Sequence, residues 1–447
     1  MVDVVEGDAP GTRVPVIDAD VPTQPIPVVG MSERPEESRR SAGADATTPT
    51  RSARRVQRHR QAARRSRRRR NTRRVIAVTL ALVLIPVGLS YFRALSAPGT
   101  DPWAARSVEW LRGHGMSGVV DTVEHWWFTA NPPPVGGTPE HGLPHGAALK
   151  GVAIAKHPVV IVSKVAPHLP APTSMVPLVA EPLANEGVWQ ATGRQVAHLP
   201  AVYTTFFRPD GVHTSLVAGA MWMDTMLLKS VYVPGLVQPG GPHTWGAQVP
   251  VDQRPGLVAA FNSGFTIDAS LGGVYTEGQM VRPLVDGAAS FVIDTNGKAD
   301  VGMWGRDFTM TPNVASVRQN LALILDNGQP VPGLPSNSNG AWGATLGNQV
   351  FVWRSGVGVD PNGALVYVAG DGLSAVTLAV LLQRAGAVRA MELDINSVWT
   401  TAYTYQQTDP ADPAAVDGVK LLPDMRRSND RYLVPGERDF FALFAAR

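Results

Sequence analysis

Residues 388–400 read Val-Arg-Ala-Met-Glu-Leu-Asp-Ile-Asn-Ser-Val-Trp-Thr: a short strand that closes on Asp394 at the head of a polar loop. Strand side chains alternate, which places Met391 and Leu393 on one face and Ala390, Glu392 and Asp394 on the other. A carboxylate at the carboxyl end of a strand, just before a turn, is a common way to present a reactive group at a crevice. Upstream, Ser374 to Ala387 has helical periodicity, with Leu378, Leu381, Leu382 and Ala385 on one face and Ser374 placed to cap it. It is the one strong long helix pattern of the C-terminal region. Elsewhere apolar runs alternate with hairpin signals: Arg208-Pro-Asp-Gly211, Asn296-Gly297, Asn327-Gly328 and Pro361-Asn-Gly363. The expected fold class is α+β, a largely antiparallel mixed-sheet domain with few helices, preceded by one transmembrane helix and a disordered basic tail.

Charge is unevenly divided. Residues 1–74 hold 17 Arg, no Lys and 9 acidic residues; the remaining residues hold 23 Lys and Arg against 28 Asp and Glu. The overall +3 thus reflects the N-terminal segment, and the folded part shows no basic excess that would imply nucleic-acid binding. There are no cysteines, which excludes disulfides, thiolate metal sites and a Cys nucleophile. The histidines show no metal-ligand spacing, so no catalytic zinc and no other cofactor is expected, with a divalent ion at the Asp371 and Asp394 carboxylates as the alternative.

Residues 1–50 are rich in Pro, Asp, Glu, Ser and Thr and read as disordered; residues 51–74 add 13 Arg. Together, 1–74 is expected to be a disordered cytoplasmic tail, Arg-rich at 51–74. Val75 to Phe92 is an 18-residue run without charge, about 27 Å as a helix and close to the thickness of a hydrocarbon core. Tyr91 and Phe92 fit an interfacial belt, and the Arg block places the amino end in the cytoplasm by the positive-inside rule. The expectation is a single-pass protein of the cell membrane with its C-terminal domain outside. A cleaved signal peptide is the second reading and a buried core helix the third. Residues 101–130 suggest two juxtamembrane amphipathic helices, 131–149 a Pro/Gly linker, and 150–447 the extracytoplasmic domain.

Four segments of that domain suggest chemistry. Ala259 to Phe265 is an apolar strand entering a turn with Asn262, Ser263, Gly264 and Phe265. Arg354 sits on a strand among small residues. Val366 to Ser374 is a strand, a tight Asp371-Gly372 turn and a helix start. The fourth segment holds Asp394. Singly, each reads equally as an ordinary turn or strand charge. Their order is similar to that of the phosphodiester glycosidase family, which includes the "uncovering enzyme", N-acetylglucosamine-1-phosphodiester α-N-acetylglucosaminidase. That family has an Asn-Gly-Gly-Phe-type turn, an Arg-x-x-x-Gly strand (here Arg354 and Gly358), an Asp-Gly at a strand end with a Thr-Leu helix after it, and Leu-Asp-Gly-Gly-Gly-Ser. The resemblance covers roughly 200–405. At the last motif this chain has Asp394-Ile-Asn-Ser397, keeping the Asp and losing the glycines.

The resemblance implies hydrolysis of a sugar-1-phosphodiester in a phosphodiester-linked glycan or glycolipid. It implies Asp394 as the chief catalytic carboxylate, with Asp371 and Glu392 as candidates for the second. Arg354 is the first choice to hold the phosphate. Asn262, Gly264, Phe265, Gly372, Ser374, Asn396, Ser397 and Trp399 complete the expected substrate-binding set; Tyr403 and Tyr405 read as core or, less commonly for aromatics, as a sugar-stacking wall with Trp399. The alternative is a catalytically inactive, membrane-anchored glycan-binding or scaffold ectodomain. Neither reading names a protein partner.

Overall fold

A computed structural model describes residues 51–96, 102–116, 119–120, 122–123, 131–144, 166–241, 243–336, 341–343 and 351–446. Of the expected disordered tail 1–74, residues 1–50 lie outside the described residues, and residues 51–74 are helical instead. The chain divides into two units, Met1–Leu80 and Ala81–Arg447.

Helix α1 (Arg51–Leu95) contains the expected apolar run and begins well before it. Residues 51–85 lack both Gly and Pro and are rich in Ala and Arg, which propagate a helix readily. Within α1, Arg70–Leu95 is long and apolar enough to cross a membrane, and none of its most apolar window is buried in the protein. Helix α2 (Trp103–Gly113) forms where the sequence predicts the first of two amphipathic helices. It folds back on the end of α1: Trp110 Nε1 donates to Ser90 Oγ at 3.0 Å, and Arg106 donates to the Leu95 carbonyl at 2.7 Å. Most of the second juxtamembrane helix, with Trp126 and Trp127, lies outside the described residues.

The C-terminal domain is built of three antiparallel sheets, in agreement with the α+β reading. The largest has eight strands in the order β1 (Gln190–Val196), β2 (Leu199–Phe207), β3 (Ala218–Met223), β14 (Leu365–Leu373), β13 (Val352–Val359), β15 (Arg389–Glu392), β11 (Leu323–Asp326), β12 (Gln329–Pro330). A second orders β7 (Gln279–Arg282), β6 (Val274–Thr276), β10 (Val314–Gln319), β8 (Ala289–Asp294) and β9 (Ala299–Met303). The third orders β17 (Asp412–Lys420), β16 (Ala402–Asp409), β5 (Leu257–Asn262), β18 (Phe440–Ala445) and β4 (Leu228–Val233). All four hairpin signals join neighbouring antiparallel strands.

One face of each sheet meets in a shared core that includes Met221, Phe261, Phe291, Tyr367, Met391 and Phe441. The far face of the large sheet is covered by a helix, α4 (Ala375–Arg384), through Leu378, Leu381 and Leu382, after the short α3 (Ile267–Ser270). Ser374 accepts from Thr377 N at 2.9 Å, the N-cap expected of it, and the helix stops before Gly386, whose φ is +100°. Met391 joins the shared core and Ala390 the core under α4, as strand alternation requires. The small residues on β13 serve this packing. A Cβ on Gly358 would stand 2.5 Å from the Arg389 carbonyl oxygen, and one on Gly356 2.9 Å from Leu382 Cδ1.

Residues 131–144, the described part of the 131–149 Pro/Gly linker, touch the domain. Gly136 N donates to the Val212 carbonyl at 2.7 Å, Thr214 Oγ1 donates to the Gly137 carbonyl at 2.7 Å, and Leu143 is buried in the shared core. Pro and Gly disfavour helix and strand here, but the segment's apolar side chains still find a surface.

Candidate active site

Central strand β5, buried throughout, ends at Asn262 beside the far end of β15. The Asn262 amide is fully engaged. Its Oδ1 accepts from Tyr367 OH at 2.8 Å and Thr401 N at 3.0 Å, and its Nδ2 donates to the Ser263 carbonyl at 2.8 Å and Ser355 Oγ at 3.0 Å. Asn262 therefore fixes the turn rather than offering a free amide. Gly264 is required by close approach: a Cβ there would lie 2.6 Å from Asn320 Cγ. Asn320 in turn accepts from Phe265 N at 3.0 Å and donates to the Glu392 carbonyl at 2.8 Å, tying the turn to β15.

Asp394 stands two residues beyond β15. Its amide donates to the Ser263 carbonyl at 3.2 Å, and its carbonyl accepts from Ser355 Oγ at 2.8 Å and Thr400 Oγ1 at 3.1 Å. The loop then closes by Asx geometry. Asp394 Oδ1 accepts from Asn396 N at 2.9 Å, and Asn396 Oδ1 accepts from Val398 N at 2.9 Å. These side-chain bonds shape the loop in place of the missing glycines. Asp394 Oδ2 is ion-paired with Arg438, which also donates to the Gly264 carbonyl at 3.1 Å.

Glu392 is completely buried, and its Oε1 receives Arg354 Nη1 at 2.5 Å. Its Oε2 has no hydrogen-bond partner among the described residues. Burial pushes the Glu392 carboxyl up to about 7 and the nearby Asp394 charge adds to the rise, while Arg354 opposes it. Arg354 Nε donates to the Leu373 carbonyl at 2.9 Å, so the guanidinium first expected to hold phosphate is engaged by Glu392 and backbone.

The other expected residues divide. Asn396 and Trp399 stand in the Asp394 loop; Ser397 is half-buried there. Phe265 is buried, and its carbonyl accepts from Arg318 Nη2 at 2.5 Å. Asp371 is exposed at the end of β14, where it accepts from Gly372 N at 2.8 Å, and its charged neighbours are Asp424 and Arg426. Gly372 packs near Leu216, and Ser374 caps α4. Tyr403 and Tyr405 are core residues, wholly buried with Tyr432 and Phe440, because β16 is covered on both faces.

Several residues escaped the sequence reading. Arg318 pairs with Asp439 at 2.7 Å, and Asp439 also accepts from Tyr232 OH at 2.7 Å; both charges are almost wholly buried behind the Asn262 turn. Arg427, Arg431 and Arg438 lie around the Trp399 indole, their guanidinium carbons 5.0, 5.7 and 5.2 Å from its centroid. Four arginines fall within 426–438 in a segment with no strand or helix period, and that density was the only available signal. Glu109 of α2 completes the group, accepting from Trp399 Nε1 at 3.1 Å and lying 3.5 Å from Arg438 Nη1. A separate cavity of about 380 Å³, lined by Thr192, Thr204, Asp417 and Lys420 among others, contains none of the expected site residues.

Residues 255–410 match the phosphodiester glycosidase family. No curated protein matches the chain. Among solved structures, the chain is similar to the catalytic domain of zebrafish N-acetylglucosamine-1-phosphodiester α-N-acetylglucosaminidase, auto-inhibited by its pro-peptide, at 16% identity over 58% of this chain and 88% of that one, with a TM-score of 0.37. A hypothetical protein from Synechocystis is 14% identical over 57% of this chain and 65% of its own, TM-score 0.29. A protein of Burkholderia pseudomallei described as exported is 13% identical over 51% and 74%, TM-score 0.28. Asn262, Arg354, Glu392 and Asp394 all fall within the segment that matches the phosphodiester glycosidase family, in agreement with the sequence resemblance.

Proposed function

We propose that this protein hydrolyses a sugar-1-phosphodiester, with Glu392 and Asp394 as its working carboxylates. The observation that supports this most is the contrast between them. Two carboxylates lie two residues apart on one face of a strand end, Asp394 paired with Arg438 and Glu392 with Arg354, and burial favours the protonated form of Glu392. Environments that separate two acids in this way are how glycosidases assign acid and base roles. Asp394 stabilises positive charge developing at the anomeric carbon. Glu392 exchanges a proton with the attacking water or the departing phosphate oxygen. Water adds to the anomeric carbon, its C–O bond to phosphate breaks, and a phosphomonoester leaves.

The apolar helix anchors the enzyme in a membrane, with the Arg-rich end of α1 cytoplasmic and the catalytic domain outside, where phosphodiester-linked envelope glycans are the substrate class. Asp371 is too exposed and too differently surrounded to be preferred as the second carboxylate. A second reading, a binding ectodomain without turnover, draws on Ile395 and Val398 standing where the family has glycine. The test is release of the free sugar and phosphomonoester from a model sugar-1-phosphodiester by the full chain in detergent, wild type against Asp394→Asn. We expect the variant to lose about 10²–10⁴-fold in rate. Equal rates would remove Asp394 from the mechanism, and no turnover in either would leave the binding reading. A reporter fused after Arg447 tests topology, and activity on the cytoplasmic side would reverse the proposed orientation.

A further inference from the structure

The arginine group around Trp399 lies beyond residue 410, outside the family match, and the proposed chemistry leaves most of it unused. Arg427, Arg431 and Arg438 are each buried, and guanidinium groups are rarely gathered in a protein interior without anions to meet them. Arg431 Nη2 reaches the Arg438 carbonyl at 3.4 Å, while its Nη1 and the Nε of Arg438 have no hydrogen-bond partner among the described residues. Gly436 leaves the room that Arg431 occupies, since a Cβ there would lie 2.2 Å from Arg431 Nη1. Burial and the neighbouring Arg431 push Arg427 down to about 9. The carboxylates near the arginine group are Asp394, held by Arg438; Glu437, whose own carboxyl is raised by burial and by Glu109; Asp430; and Glu109 itself.

Glu109 differs from the others because it arrives from outside the domain core. Arg106 and Glu109 lie one turn apart on α2 and share a face. That face meets Glu437, Arg438 and Trp399, and the Glu109 side chain keeps 21% of its exposure. Its carboxylate stands 3.5 Å from Nη1 of Arg438, whose Nη2 holds Asp394.

We propose that Arg427, Arg431 and Arg438, gathered around the Trp399 indole, form a phosphate subsite next to Asp394, and that the Glu109 carboxylate occupies it until a phosphate displaces it. The planar, multi-donor guanidinium group suits phosphate oxygens, and the indole holds the three forks in position. The identification of the ligand as the substrate's phosphate rests on the hydrolase reading above; the anion site itself does not. Helix α2 then sets the affinity of the site, since phosphate and Glu109 compete for the same donors.

The test is binding of inorganic phosphate and of dimethyl phosphate to the full chain in detergent micelles, followed by calorimetry. Glu109→Gln removes the competing charge while keeping a hydrogen-bond acceptor for Trp399 Nε1, and it should bind phosphate about tenfold more tightly than wild type. Adding Arg431→Lys to that variant should abolish the gain. If the double variant fails to fold, as its thermal midpoint would reveal, Arg438→Lys takes its place. Equal affinity in wild type and Glu109→Gln overturns the proposal, as does a gain that persists when the arginine is replaced. Dimethyl phosphate binding as tightly as inorganic phosphate identifies a diester site, and preference for inorganic phosphate identifies a product site; both support the subsite. Turnover is not read in this experiment. A protein that gains phosphate affinity but hydrolyses no sugar phosphodiester keeps the subsite and loses the hydrolase reading, and the reverse result does the opposite.

Discussion

Arg438 binds the carboxylate of Asp394 and the carbonyl of Gly264 through the same nitrogen, Nη2, so one guanidinium joins the two loops that make the site. Those loops come from the ends of β5 and β15, in different sheets. A residue from neither strand thus reinforces the direct bond from Asp394 N to the Ser263 carbonyl.

The raised carboxyl of Glu392 makes activity and stability depend on pH. An acid whose folded pKa stands above its unfolded value binds more protons in the folded state. Its contribution is present below the ordinary value near 4.5 and is lost as pH rises through about 7. Across that window unfolding free energy should fall by roughly 3 kcal/mol from this group. Glu392→Gln should remove the slope in denaturant titrations at pH 5 and 8. The limb near 7 in the rate profile should vanish with it. A wild-type profile flat from pH 5 to 8 would take Glu392 out of proton transfer.

Breaking the Arg318–Asp439 pair should be costly without touching substrate. Arg318→Met leaves the Asp439 carboxylate buried with the neutral Tyr232 hydroxyl as its remaining side-chain donor, and removing one partner of a buried pair costs about 3–5 kcal/mol. Arg318 also supports the Phe265 carbonyl, so the Asn262 turn should loosen. The midpoint in urea measures the loss; Arg318→Met combined with Asp439→Leu should recover part of it.

Ser374 separates a cap from a substrate ligand. Ser374→Ala should lower stability by about 1 kcal/mol through loss of the Thr377 N–H bond, and should leave KM unchanged. A raised KM at unchanged stability would restore the substrate role expected from sequence.

Gly358 tests why β13 is lined with small residues. Gly358→Ala drives a methyl into the Arg389 carbonyl at 2.5 Å and the Ala390 side chain at 2.8 Å. We expect about 1–3 kcal/mol of destabilisation and, because β15 carries Glu392, reduced activity in the fraction that folds. Thermal unfolding and specific activity, measured together, decide it.

Local chemistry made a large part of this protein readable from its amino acids alone. Turn dipeptides mark the four hairpins, the 3.6-residue period and Ser374 mark α4, and an uncharged run marks the helix able to cross a membrane, because backbone geometry is set by neighbouring residues. The order of Asn262, Arg354 and Asp394 along the chain pointed to the family in the same way. Pairings between distant segments were not readable, since nothing in the sequence near Arg354 names Glu392 as its partner. Tyr403 and Tyr405 became core rather than a stacking wall because β16 is covered on both faces, a consequence of sheet order. Arg318, Asn320 and Arg438 lie in stretches whose local pattern is ordinary, and they reach the site only because three sheets converge on one core. Local sequence determined which elements form; burial and long-range electrostatics, which exist only after those elements pack, decided which charges meet around Asp394.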